Sequence, residues 1–539
     1  MLRNSLKVPS VQVRLLKVIR GAAVSGFVAA TVFLPAPAYA ASTHSQIEGS
    51  GSSWSANAVN QWIADVQPQG LPVVYTAPGS AQGRKDYSFG TVDYAVTDIP
   101  FQGTTSLGDP DTNGGRPFAY LPIVAGGTAF PYQIKVGTQR VTNLRLSGQT
   151  LAKIFTNLIT NWNDPQITSD NNGRQLPSLT IIPVVHSEGS GSSAQFTTYL
   201  AKQYGSLWGP FNDGKNGMTE YFPRKGTAVA QNGSDGVMNF IASGAANGAI
   251  GYDEYSYALN ANFPVVKLEN AAGYFTLPTD KAVAKSLTQA TVDTNPNSPT
   301  YLIQNLDRVY TYTDDRTYPL SSYSYLILPT GTTAQDGRLT TGKRQTLVDF
   351  LYYSICTGQR EMGPIGYSPL PINLVQNGFD QIQKLKTADP AVDIARRDTS
   401  TCNNPTFIAG HPERNYLAEI APEPPACDKR GQGPCGTTGT GGTGGSGAGG
   451  TGGAPGAAAG AAGASAGPQI DPDTGQVIGG SGAGGTGGDA ANVASSLAAS
   501  RGGGMTGVLS VLAVLELIAV LVVPVVVNQQ LARRRREEP

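Results

Sequence analysis

The chain has 539 residues, with 38 basic and 38 acidic side chains and only three histidines. So even a balance gives no electrostatic footprint for nucleic acid, and so few histidines leave little from which to build a metal site. The 67 glycines crowd toward the C-terminus, so the foldable part is much shorter than the chain.

Arg3, Lys7, Arg14, Lys17 and Arg20 precede an apolar stretch from Gly21 to Leu34, and Ala38-Tyr39-Ala40 follows. A basic region, an apolar region and a small-x-small site in that order predict an export signal over residues 1–40, cleaved after Ala40. No cysteine lies near that site, which excludes a lipid on the mature N-terminus. In an oxidising exterior the four cysteines Cys356, Cys402, Cys427 and Cys435 favour two bridges, of which Cys427 with Cys435 and Cys356 with Cys402 are the favoured pairing.

Residues 41–400 alternate short apolar, β-branched runs with helical windows. The runs are "LPVVYTA" from Leu71, "VDYAVTD" from Val92, "LTIIPVVH" from Leu179, "GAIGYDEY" from Gly248 and "SYLILP" from Ser324. The helical windows are Ala56 to Val66, Ser147 to Thr156, Ala194 to Gln203, Gly233 to Ala242 and Lys343 to Cys356. Such alternation is the signature of an α/β fold, with ligands expected at the C-terminal ends of strands. A segment of ~350 residues exceeds a single core, so two lobes facing each other across a ligand cleft are expected.

Three glycine and hydroxyl corners stand out in this region. Gly49-Ser50-Gly51-Ser52-Ser53 runs toward one helix, Gly79-Ser80 opens another, and Gly189-Ser190-Gly191-Ser192-Ser193 opens a third. Serines at helix starts beside glycine let backbone N–H groups and hydroxyls close on an anion.

Beyond the globular part, residues 401–504 hold a Cys-containing extension and then a Gly/Ala-rich tether. The tether has no apolar periodicity, and as a coil of ~70 residues it would span roughly 45 Å. From Thr506 to Val527 the chain is apolar apart from Thr506, Ser510 and Glu516, long enough at ~33 Å to cross a bilayer, which predicts a C-terminal transmembrane helix over residues 505–528. Arg533 to Arg536 follow in the basic tail, residues 529–539, which predicts a cytoplasmic C-terminus and an exported, membrane-anchored binding domain outside.

Several stretches in sequence order resemble the phosphate-binding protein of the phosphate ABC importer. They are "GSGSSW" at Gly49, "TVDYAVTDIP" at Thr91, "KIFTNLITNWNDPQI" at Lys153, "EGSGSSAQFTTYL" at Glu188 and "GAIGYDEYSYA" at Gly248. The resemblance runs from about Ile47 to about Leu385. It implies a two-lobed periplasmic-binding-protein fold of type II, with lobe 1 at about 45–122 and 317–400 and lobe 2 at about 123–316. It also implies inorganic phosphate, or a related oxyanion, as ligand and an ABC permease as partner. Carried over residue by residue, it assigns ligand contacts to Ser53, the Trp54 amide, Ser80, Asp98, Ser190, Gly191 and Ser192. The chemistry agrees: hydroxyls and amides donate to phosphate oxygens, whereas an ionised Asp98 only accepts, and so demands the proton that hydrogen phosphate carries and sulfate lacks.

In one place the chain departs from this pattern. The family carries an arginine between the strand and the Ser190 corner, where this chain has His186, Ser187 and Glu188. Arg84, in the helix after Ser80, is the candidate replacement, with Arg224 a weaker one. Enzyme motifs are absent: there is no Walker A sequence, no G-x-S-x-G and no H-E-x-x-H, so neither catalysis nor a cofactor is expected. The alternative to import is a surface receptor or cell-wall protein that keeps the fold without serving a permease.

Overall fold

The computed structural model describes residues 44–397, 399 and 402–435, and the strand pair Gln469–Ile470 and Val477–Ile478. The expected export signal, most of the tether and the C-terminal span lie outside the described residues. Among the described residues no helix is long and apolar enough to cross a membrane.

Two principal sheets are built from β1 (Ile47–Gly51), β2 (Val73–Thr76), β3 (Tyr94–Thr97), β4 (Phe118–Ala129), β5 (Ile182–His186), β6 (Val229–Gln231), β7 (Ala249–Gly251), β8 (Asp253–Glu254) and β9 (Ser321–Pro329). The larger runs β8-β4-β9-β3-β1-β2 and forms the first lobe; the smaller, β6-β5-β7, forms the second. Parallel pairing joins β1 to β2 and β3, and likewise β5 to β6 and β7. A central parallel strand is buried on both faces and reads as a continuous apolar run, as "YAVT" of β3 does, whereas edge strand β2 leaves Val74 and Thr76 exposed.

Strands β4 and β9 pair antiparallel from Phe118 opposite Pro329 to Gly127 opposite Ser321. Strand β8, which follows the small sheet, joins the far end of β4, with Asp253 opposite Ala129. These three strands therefore carry the chain between the lobes. The register of β4 and β9 shifts between Ser324 and Tyr325, leaving Ile123 as an extra residue. A bulge of this kind re-aims side chains, and here Ser324 is turned toward the end of β3.

The helices that frame the cleft are α1 (Ala56–Val66), α2 (Ser80–Ser88), α3 (Gly191–Phe211) and α4 (Gly233–Ala242). Later in the chain come α5 (Asp280–Leu287), α6 (Thr341–Ile355), α7 (Ile372–Ala388) and α8 (Tyr416–Glu419). Sequence periodicity locates α1, α4 and α6 within a residue or two. It misses β4, whose run is broken by Pro122, Gly126 and Gly127, residues that lower strand propensity but are tolerated between β8 and β9.

After α7 the extension ties back to both lobes. Cys402 is bridged to Cys356 at the end of α6, with 4.9 Å between Cα atoms. Asn404 Nδ2 and Thr406 Oγ1 donate to the Leu370 carbonyl at 3.0 and 2.8 Å. Helix α8 packs Leu417 and Ala418 on Ala284 of α5. The loop closed by the Cys427–Cys435 bridge then lands on the second lobe. There Lys267 and Asp428 pair at 2.8 Å, both side chains at most 3% exposed, and Arg145 Nη1 donates to the Cys427 carbonyl at 3.0 Å. Both disulfides match the pairing favoured from the sequence.

Candidate functional site

The C-terminal ends of β1 and β3 and the N-termini of α2 and α3 converge on Asp98. Its Oδ2 accepts the hydroxyls of Ser52 at 2.7 Å and Ser80 at 3.0 Å, and its Oδ1 accepts that of Ser324 at 2.7 Å. A carboxylate offers about four lone pairs, so three donors leave one acceptor position. Burial pushes the Asp98 carboxyl up, and the hydroxyls of Ser52, Ser324 and Ser80 and the charge of Arg84 hold it back.

Two glycines are required by the closeness of the approach. A methyl on Gly191 would overlap the Asp98 carboxylate, so the start of α3 can lie against Asp98 only without a side chain. Gly79, at φ 110°, precedes α2 in the left-handed region, and a methyl there would press on Glu188 and the Gly189 carbonyl of the other lobe. The two lobes meet at this corner, where Ala81 N donates to the Gly189 carbonyl at 3.1 Å and Gln195 Nε2 to the Asp98 carbonyl at 2.7 Å.

The other expected ligands are distributed around this centre. Ser190 caps α3 and gives its own amide to the Glu220 carbonyl at 2.9 Å. Ser192 is buried on the first turn of α3, and its hydroxyl has no hydrogen-bond partner among the described residues. The Ser53 hydroxyl accepts from Ser234 N at 3.2 Å and lies 3.1 Å from Ser234 Oγ, a bridge to the start of α4. Trp54 is buried edge-on against Tyr367, and its carbonyl accepts the Tyr367 hydroxyl at 2.6 Å. In the first corner Gly49 to Gly51 belong to β1 and the cap of α1 is Ser55, so Ser50 is a strand residue rather than a helix start.

Arg84 is fully buried, and its guanidinium is met from both lobes. Its Nε donates to Asp111 at 2.9 and 3.0 Å, its Nη1 to Thr97 Oγ1 at 3.1 Å and its Nη2 to Glu220 Oε2 at 2.7 Å. Burial alone would lower its pKa, but Glu220 and Asp111 outweigh that and raise it, so the charge persists. Burial raises the Glu220 carboxyl against the pull of Arg84. Arg224 donates instead to the Ala228 carbonyl at 3.1 Å, within its own loop.

The stretch where the family arginine is missing is internally paired. His186 Nδ1 lies 2.7 Å from Glu188 Oε1, and Glu188 Oε2 accepts Gly233 N at 3.0 Å. Burial works to lower the pKa of His186, yet the hydrogen bond and charge of Glu188 raise it. Glu188 is turned to the N-terminus of α4, so this pair binds the second lobe together.

Sequence reading overlooked Ser52, Ser324, Ser234 and Glu220. Ser52 sits beside Ser53 in the quoted corner and could have been found. The other three come into place only through the pairing of β9 with β3 and the meeting of the lobes, which leave no local signal.

The chain matches the family model described as the PBP superfamily domain over residues 36–357. It is 30% identical over 336 residues to the phosphate-binding protein PstS 2 of Mycobacterium tuberculosis, covering 60% of this chain and 83% of that protein. To the phosphate-binding protein PstS of Xylella fastidiosa it is 28% identical over 332 residues, 61% of this chain and 83% of the relative. Among solved structures, the phosphate binding protein from Stenotrophomonas maltophilia aligns at a TM-score of 0.46 and 16% identity, over 60% of this chain and 91% of that one. With serine corners on a buried aspartate, the family model matched over more than half of the chain and the Mycobacterium tuberculosis relative, the chain belongs to the PBP superfamily, as a binding protein of the PstS type.

Proposed function

We propose that this chain is a membrane-tethered, extracytoplasmic receptor for inorganic phosphate that feeds an ABC importer. The observation that carries the reading is Asp98, buried at the meeting point of two helix N-termini and ringed by the hydroxyls of Ser52, Ser80 and Ser324. When phosphate enters, these hydroxyls turn from Asp98 to donate to phosphate oxygens, together with Ser53, the Trp54 amide and the Ser190–Gly191–Ser192 turn. Asp98 then accepts the ligand's own proton. Sulfate brings no proton, so it faces Asp98 acceptor to acceptor, an arrangement worth about 1–3 kcal/mol against it. Arg84 stands beside the site in place of the family arginine and steadies Asp98 electrostatically, while its own charge is paired by Asp111 and Glu220. Export and anchoring rest on the basic and apolar segments at the two ends of the sequence. The role is binding without chemistry, as the names of the relatives imply for them.

Calorimetric titration of the detergent-solubilised chain with phosphate and with sulfate tests the ligand. Deletion of the gene, followed by radiolabelled phosphate uptake, tests delivery: undiminished uptake would leave a surface receptor without a permease.

A further inference from the structure

The cleft of a two-lobed receptor must part to admit a ligand, yet here a buried ion pair spans it. Arg84 and Asp111 belong to the first lobe, whereas Glu220 belongs to the second-lobe loop after α3. Arg84 and Glu220 are 0% and 2% exposed, and 2.7 Å separates Nη2 from Oε2. The neighbouring contacts mark the same seam: Ser106 Oγ lies 2.8 Å from Thr219 Oγ1, and Ala81 N donates across to the Gly189 carbonyl. Glu220 is also tied to the ligand turn of its own lobe, because its backbone carbonyl receives Ser190 N.

We propose that Glu220 is a positioning residue of the anion site: by pairing with Arg84 across the cleft it latches the lobes shut and fixes the Ser190 turn against Asp98. Asp111 holds the guanidinium at Nε and Thr97 holds it at Nη1, so Glu220 meets a cation already oriented on the first lobe. A pre-oriented planar fork loses little freedom on making one more contact. When the lobes part, both charges return to water, so the latch is reversible, unlike a pair trapped in a core. Its second carboxylate oxygen, Oε1, is buried without a hydrogen-bond partner among the described residues, so the side chain is held by the arginine rather than by a wider network.

This inference uses the phosphate reading for one of its two readouts only. The other is opening of the ligand-free cleft, reported by hydrogen exchange at the Ala81 amide, whose acceptor lies on the opposite lobe. In the full chain, Glu220→Gln is expected to speed exchange at Ala81 about tenfold without ligand and to speed phosphate release about tenfold. Glu220→Asp, which keeps the charge but shortens the reach, is expected to move both in the same direction by less, and it covers the case that the glutamine variant does not fold. In an Arg84→Met background the Glu220→Gln effect on Ala81 exchange should vanish. Mere removal of a negative charge near an anion predicts the opposite sign, tighter phosphate binding with unchanged exchange, and that result would overturn the latch. Should the unmutated chain bind no phosphate while Glu220→Gln still speeds exchange, the phosphate reading falls and the latch stands. Normal phosphate binding with no response to Glu220→Gln would leave the phosphate reading standing and overturn the latch.

Discussion

The two lobes are joined in two different ways, and the contrast separates what must move from what must hold. Across the cleft the contacts are polar and separate: Ala81 with Gly189, Ser53 with Ser234, Ser106 with Thr219, and Arg84 with Glu220. Each partner meets water when the lobes part, so each contact is nearly exchanged for another and the net gain per hydrogen bond is only ~1 kcal/mol. Through the extension the joints are of another kind. A disulfide fastens residue 402 to the first lobe, and an ion pair with side chains at most 3% exposed fastens residue 428 to the second. Such joints are expensive to break. A receptor needs both kinds, one for exchange of ligand and one for keeping its lobes in register.

The largest expected effect therefore lies in the extension. Lys267→Met should leave the Asp428 carboxylate buried without its cation and lower stability by about 3–5 kcal/mol, whereas Lys267→Met with Asp428→Leu should restore most of the loss. Urea unfolding of the three chains checks this. A small loss in the single variant would mean that the extension lies loosely on the second lobe.

Next in size is Asp98→Asn at the cleft. The amide can donate as well as accept, so the preference for phosphate over sulfate should shrink by about 1–3 kcal/mol in competitive titrations. Stability should change less, since the amide oxygen still accepts at one of the two positions and the hydroxyls at the other can turn to accept from the amide N–H. Loss of folding on this substitution would place Asp98 with the holding contacts rather than the exchanging ones.

Acidity distinguishes a third set of groups, Asp253 on β8 and His186 on β5. The pKa of Asp253 is raised to about 6, chiefly by burial. A carboxyl raised in the fold binds its proton more tightly there than in the unfolded chain, so its contribution falls as pH climbs from about 4 to about 6. His186 is raised as well, its burial outweighed by Glu188, so the stability from that pair is complete below ~6.5 and lost as pH rises through the folded value. Together they predict a stability that declines from about pH 4 to weakly basic pH, by on the order of 3 kcal/mol. His186→Gln should flatten the upper part of that decline and leave the lower part, which a pH series of unfolding curves resolves.

Much of this was legible in the sequence. Helices α1, α4 and α6 follow from apolar spacing, and the Gly189 to Ser193 corner announces a helix N-terminus by composition alone. Asp98 was legible through the resemblance, whose motif the stretch "TVDYAVTDIP" carries. Arg84 was half legible: its position on α2 follows from chain order, but its partners Asp111 and Glu220 are 27 and 136 residues away and depend on how the lobes meet. Ser324 was hidden for a related reason, since a serine in a buried strand has no meaning until pairing with β3 brings it to a carboxylate.

The smallest expected effect serves as a control on the comparison. Thr340 caps α6 by accepting Lys343 N at 3.3 Å, apart from both joints. Thr340→Ala should cost ~1 kcal/mol of stability and leave phosphate affinity and Ala81 exchange unchanged. A change in either would mean that stability and opening are not separable in this chain.

The central claim is that the Asp98 corner selects a protonated oxyanion. Its most direct test is calorimetry of the unmutated, full-length chain in detergent, titrated at neutral pH with phosphate and separately with sulfate. The account predicts saturable binding of phosphate and affinity for sulfate at least tenfold weaker. Equal affinities, or sulfate bound more tightly, would contradict it.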